Sequence, residues 1–310
     1  MITSNVILGK ECVKNQVLLK DILSRSLPIL EIMDIGAMME GDDRYKILVD
    51  QGLGHVTGFE PNLEFLKKLE ARQGPYSYFP YVLGNGKKAD FYHTRYPGCS
   101  SLLEPNEHII NLFSSISTAP DTGNFSVTEM SEVQTVRLDD IGSLPSPDYV
   151  KIDVQGAELL VMENSRKTFE DVLVLETEVE FIHIYKDQPL FGDIHRFMVD
   201  CGFMLHKLVD IAGRSLRPFS PQNPYQATSQ ALWADAIFVR NYTDLSHFSN
   251  EQILKASLIL NDVYLSYDVV VRLLAEFDAR QGTSLKEKYI NNLEARDSLD
   301  RLYMNLKEKT

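Results

Sequence analysis

Seven short apolar runs constrain this chain most strongly: ILEIMDIG, HVTGFEP, YSYFPYVLG, YVKIDVQG, DVLVLETEVEF, FMLHKLVDIAG and ALWADAIFVR, with helix-like stretches between most of them. Runs of this length read as strands, and strands alternating with helices build a largely parallel sheet covered by those helices. The expected fold class is therefore α/β. Leu63, Leu66 and Leu69 share one helix face after Pro61-Asn62, and Ile194, Phe197 and Met198 share another before Gly202, a suitable left-handed stop. A leading helix is predicted from Glu11 to Leu27, carrying Val13, Val17, Leu18, Ile22 and Leu23 and ending at Pro28. GNGKKADFY carries a turn signal and reads as a hairpin, while Ser100 to Val133 reads as a long insertion able to serve as a lid.

From Asn250 the pattern is helix alone: Ile253, Leu254, Leu258, Val263, Val270, Leu273 and Leu274, then Leu285, Tyr289, Leu293, Leu299, Leu302 and Leu306. The expected division is a sheet domain over 1–248 and a helical C-terminal extension over 249–310. That extension either packs on its own sheet domain or makes a homodimer contact.

The 44% hydrophobic content supports a sizeable core in 310 residues. No apolar run nears eighteen residues and no charged-then-apolar leader is present, so neither a membrane span nor a signal peptide is expected, and a cytoplasmic address follows. Cys12, Cys99 and Cys201 are scattered, odd in number and without metal-ligand spacing, which suits reduced thiols. A net charge of −13 disfavours nucleic acid or an anionic membrane as partner and leaves a small molecule or another protein.

In a parallel sheet, ligands bind beyond the carboxyl ends of the strands, where the loops diverge. Asp34, Glu60 and Asp153 fall at such ends. Gly36 lets the backbone turn closely against a ligand, and Glu60, closing the next apolar run, is placed to accept hydrogen bonds from ribose hydroxyls. Ala37, Met38 and Met39 stand where a dinucleotide fold needs glycines to approach a pyrophosphate. S-adenosylmethionine has no phosphate and tolerates the change.

The ordered segments DIGA, GFEPN, YVLGNG, GCSSLLEP, TVRLDDI, DYVKIDVQGAELLVMEN and EVEFIHIYKDQPLFGDIHRFMVDCGF resemble the FkbM-type methyltransferases, from about Ile29 to Phe203, most specifically over Tyr149 to Asn164. The resemblance implies a Rossmann-like seven-strand class I methyltransferase sheet, S-adenosyl-L-methionine as cofactor, and O-methylation of a small molecule, secondary metabolite or sugar. It also implies that Asp34, Gly36 and Ala37 face the methionine part of the cofactor and that Glu60, followed by Pro61, holds the ribose. Leu83 and Gly84 would lie near the adenine, Ser100 and Ser101 on a loop facing the pocket, and Asp153 with Gln155 beside the transferred methyl. Two departures stand out: Met38 and Met39 replace the usual Asn or Gly, and the usual DVEG is Asp153-Val154-Gln155-Gly156, one carboxylate fewer.

An alcohol attacks a methyl carbon poorly until it begins to lose its proton, so a general base is expected. The catalytic candidates are Asp153, Glu178 and His183; Glu176, Glu178 and Glu180 alternate onto one strand face, where acids need partners, a cavity or solvent. Asp153 could instead cap the helix starting near Ala157. No metal is assigned, although Asp153 and Glu178 have the hard oxygen donors that a divalent cation takes. The competing readings are a nucleotide-dependent oxidoreductase, disfavoured by Ala37 and Met38, and a catalytically silent partner-binding protein on the same fold.

Overall fold

The computed structural model describes residues 18–23, 26–38, 43–219, 221–223, 225 and 229–295. Among these residues nine strands run as β1 Leu30–Ile35, β2 Gly54–Phe59, β3 Tyr76–Phe79, β4 Lys88–Thr94, β5 Val127–Gln134, β6 Tyr149–Ile152, β7 Val174–Glu180, β8 Phe203–Gly213 and β9 Ala231–Arg240. The helices are α1 Leu19–Leu23, α2 Lys46–Asp50, α3 Leu63–Glu70, α4 Glu107–Ile110, α5 Glu158–Glu163, α6 Phe191–Asp200, α7 Asn250–Asp262, α8 Tyr267–Gln281 and α9 Leu285–Ala295. By compactness the described residues of 31–41 and 56–241 form one unit, and those of 1–30, 42–55 and 242–310 another.

The sheet has seven strands in the order β3-β2-β1-β6-β7-β9-β8, parallel except that β9 runs against both β7 and β8. This is the Rossmann-like α/β sheet expected from the sequence. Its winding reverses between β1 and β6, which opens a crevice at their carboxyl ends. Val150 and Ile152 of β6 and Leu175 and Val179 of β7 are fully or almost fully buried, packed with Val161 and Met162 of α5 and Ile194 and Met198 of α6. Each such side chain contributes about 1.5–3 kcal/mol through burial. Helix α6 ends where the sequence predicts, with Gly202 in the left-handed region. Helix α3 is capped by Asn62, whose side chain accepts from the N–H groups of Glu64 and Phe65; Leu66 and Leu69 are buried, but Leu63 is exposed.

Two expectations change. Strand β4 follows the Gly84-Asn85-Gly86 turn but pairs antiparallel with β5, so the two make a separate ribbon rather than a local hairpin. The long insertion between them is held by a core of its own: Cys99, Ile110, Phe113, Ile116 and Phe125 pack with Ile184, Tyr185 and Leu232. Burying that many large side chains anchors the segment, so it is built as a wall rather than a hinged lid.

The helical unit is assembled from three stretches of chain. The Asp262 carboxylate, 2% exposed, accepts from the Leu19 N–H at 2.9 Å, the Gln51 amide at 2.9 Å and the Asn261 amide at 2.6 Å. Tyr289 of α9 donates to Asn261 at 2.6 Å. Ile253, Leu254, Leu258, Val270, Leu273, Leu274, Tyr289 and Leu293 are buried as their spacing predicts, and Leu299, Leu302, Leu306, Val13 and Val17 lie outside the described residues. The C-terminal helices are therefore no detachable tail, since α1 and Gln51 depend on them. Asp262→Ala leaves several buried donors without an acceptor and is expected to cost about 1–3 kcal/mol for each, read as a lowered denaturation midpoint. An unchanged midpoint would show that the carboxylate does not tie the three stretches together. Among the described residues no helix is long and apolar enough to cross a membrane.

Candidate active site at the strand tips

The turn after β1 is drawn against the end of β2: the N–H groups of Gly36 and Ala37 both donate to the Phe59 carbonyl, at 3.1 and 3.0 Å. Gly36 has φ +83°, and a Cβ added there would lie 1.9 Å from the carbonyl oxygen of Asp153. Only glycine fits the gap between the tips of β1 and β6. Asp34, 2% exposed, lies 3.5 Å from Lys151 on the neighbouring strand.

Glu60, 6% exposed, follows β2 directly. Its Oε1 accepts from the Asn62 N–H at 2.6 Å, and among the described residues Oε2 meets no donor. Burial raises its pKa above the usual carboxylate range; the Asn62 bond lowers it and the Asp34 charge raises it. Pro61 leads from it into α3. Leu83 is buried in a parallel bridge to Val136, and the Gly84 N–H donates to the Val136 carbonyl. Ser100 accepts from the Thr94 N–H at 3.0 Å. Ser101, 1% exposed, donates to the Gln155 carbonyl at 2.7 Å and accepts from the Leu103 N–H, so both serines pin loops.

Beyond β6 and β7 the acids converge. Gln155, held at φ +57°, donates through Nε2 to Asp153 Oδ1 and Glu178 Oε2, both at 2.9 Å. The residue that replaces the usual acid thus bridges the two carboxyl groups through its amide nitrogen. Its Oε1 lies 3.0 Å from the hydroxyl of buried Tyr185, itself 2.9 Å from the Cys99 carbonyl. Asp153 does not cap the following helix. Glu158 serves there instead, its Oε1 accepting from the N–H groups of Val154 at 2.9 Å and Gly156 at 3.1 Å.

Glu158 is fully buried, and burial pushes its carboxyl up to about 7, with the Asp153 charge adding to the rise. Glu178 and Glu180 are raised well above the usual range, by burial first and then by the neighbouring acids. No lysine, arginine or histidine pairs with these three or with Asp153 among the described residues. Glu176 and Glu180 are each 3% exposed and Glu178 is half-buried, so the alternating acids of β7 are enclosed rather than solvated; Tyr149 donates to Glu176 at 2.8 Å. His183 is exposed and makes no hydrogen bond or ion pair with the described residues. Sequence reasoning missed Glu158 and Tyr185. The first looks like an ordinary first-turn acid until its burial is known.

A model of the methyltransferase FkbM domain matches residues 34–205, more than half of the chain. The chain belongs to the FkbM methyltransferase family. No curated protein matches it. Among solved structures, a methyltransferase FkbM from Methylobacillus flagellatus KT is similar at 13% identity and TM-score 0.38, over 69% of this chain but only 44% of its own length. A precorrin-6y C5,15-methyltransferase from Geobacter metallireducens GS-15 is similar at 16% identity and TM-score 0.33, over 75% of this chain and 93% of its own. A magnesium protoporphyrin IX methyltransferase from Synechocystis PCC 6803 with bound SAM is similar at 12% identity and TM-score 0.34, over 72% of this chain and 78% of its own.

The matched domain is that of an S-adenosylmethionine-dependent methyltransferase, and S-adenosylmethionine is its cofactor. The residues fit that group. Glu60 keeps a carboxylate oxygen without a donor at the end of β2, and the tight turn at Gly36 brings backbone to the crevice mouth without the glycines a pyrophosphate would need. The oxidoreductase reading has no support from the family.

Proposed function

We propose that this chain methylates a hydroxyl oxygen of a small molecule, secondary metabolite or sugar. S-adenosylmethionine supplies a methyl carbon already activated by its sulfonium, so the protein's work is to align an acceptor and handle one proton. The observation that carries the reading is the Gln155 bridge. It occupies one oxygen each of Asp153 and Glu178 and leaves Asp153 Oδ2 and Glu178 Oε1 without donors among the described residues. Acceptor-only oxygens at the strand tips suit a hydroxyl that must give up its hydrogen. In this reading Asp153 orients the hydroxyl or takes its proton, and Glu178, whose proton affinity is raised, stores or relays it. His183, exposed and unattached to the cluster, is the weaker candidate.

In the same reading Asp34, Gly36 and Ala37 face the methionine part, Glu60 with Pro61 holds the ribose, and Leu83 and Gly84 flank the adenine. Ser100, Ser101 and Gln155 hold the wall. Extracts given the full chain and a methyl-labelled donor test the reading through an untargeted search for labelled products. Label on oxygen is expected. Label on nitrogen or carbon, or none from protein that binds S-adenosylhomocysteine, overturns it.

Glu60→Ala is expected to weaken S-adenosylhomocysteine binding by about 1–3 kcal/mol, the cost of losing a charged acceptor, with the fold intact. Its raised pKa gives a second signature. Ionised Glu60 accepts from the ribose, so affinity is full above its pKa and falls as pH drops through it, starting at a higher pH than an ordinary glutamate would give. Calorimetric titrations across that range check both. Equal affinity in variant and parent, or a flat acid limb, removes Glu60 from the ribose.

A further inference from the structure

We propose that Asp153, Glu158 and Glu178 form a site for a hard divalent cation. Carboxylate oxygens from the three lie within 4.8 Å of one another, a spacing that one ion can span. Each carboxylate is fixed from behind on one oxygen and free on the other. Gln155 Nε2 holds Asp153 Oδ1 and Glu178 Oε2, while the N–H groups of Val154 and Gly156 hold Glu158 Oε1. That leaves Asp153 Oδ2, Glu158 Oε2 and Glu178 Oε1 with no donor among the described residues. This is how outer groups orient the ligands of a metal: each fixes a carboxylate while leaving an oxygen to bind.

The decisive atom is Glu158 Oε2. Glu158 is 0% exposed, and this oxygen is buried and without a partner. A buried carboxylate oxygen with nothing to accept from costs free energy, and neighbouring acids with no cationic side chain among them compound that cost. A bound cation offsets both. The donor set is oxygen alone, which selects Mg²⁺, Mn²⁺ or Ca²⁺ over softer metals. Three protein oxygens leave coordination positions for an oxygen of the acceptor, and with the ion bound Asp153 and Glu178 would act on the hydroxyl through the ion rather than take its proton themselves.

Cation binding is measured without any acceptor, so its failure is distinguishable from failure of the O-methylation reading. The full chain is titrated with Mn²⁺ and followed by electron paramagnetic resonance, with S-adenosylhomocysteine binding measured on the same samples. One tight Mn²⁺ per chain is expected, displaced by Mg²⁺. In Glu158→Gln its affinity should drop by at least about tenfold to a hundredfold, the scale for losing even an outer partner of a ligand, with S-adenosylhomocysteine binding retained. Glu178→Gln, at a half-buried position, is read in the same way and keeps the test decisive if Glu158→Gln does not fold. Absence of tight Mn²⁺ binding in a chain that binds S-adenosylhomocysteine overturns the proposal. So does binding that neither substitution weakens. A protonated-carboxyl infrared band in the Mn²⁺-treated parent, lost in Glu158→Gln, would also overturn it and assign shared protons to the cluster.

Discussion

Asp153→Asn is expected to lower the single-turnover methylation rate by about a hundredfold or more, the scale for removing a positioned base, while cofactor affinity and stability stay near those of the parent. Asparagine keeps the shape, and its oxygen can still accept from Gln155 Nε2, so the bridge to Glu178 survives. What is lost is the charge and the oxygen that has no donor, which becomes an N–H₂ group unable to take a proton. The alternative in which Asp153 merely caps a helix is removed by geometry, because Glu158 accepts from the N–H groups ahead of α5. A rate within a few-fold of the parent would move the base to Glu178 and then to His183. Mn²⁺ titration of the same variant separates a lost base from a lost cation ligand.

Gly36→Ala is expected to cost about 2–5 kcal/mol. About 1–2 comes from placing an L-residue in the left-handed region and about 1–3 from overpacking. The upper end applies, because the Cβ would meet backbone at 1.9 Å rather than a flexible side chain. Asp153 cannot retreat cheaply, since its N–H donates to the Ile35 carbonyl at 2.9 Å and holds β6 in register with β1. The denaturant midpoint measures the cost, and S-adenosylhomocysteine affinity of the folded fraction measures how far the crevice opens. Parental values for both would mean that the strand tips separate freely and that the glycine is not required.

Much of the site is legible in the amino-acid sequence because its positions follow from strand ends. Asp34, Gly36, Glu60 and Asp153 each close an apolar run, and in a parallel sheet those ends share one edge. The period of two in Glu176, Glu178 and Glu180 likewise places three acids on one face of β7. What the pattern leaves open is their surroundings: solvent and enclosure have the same sequence, and here Glu176 and Glu180 are buried. Gln155 reads from sequence as a carboxylate lost. In the fold it is the donor that holds two carboxylates together.

Residue type and local spacing were enough for the strand-and-helix alternation, the glycine at the first turn and the acids at the strand tips, while the family followed from the resemblance of the ordered motifs. They were not enough to show that Glu158 turns inward, that β4 finds its partner in β5, or that the helices after 250 share a compact unit with 19–23 and Gln51. Each of these depends on contacts between residues distant in the chain, where burial and unpaired hydrogen-bonding groups, not local propensity, set the free energy.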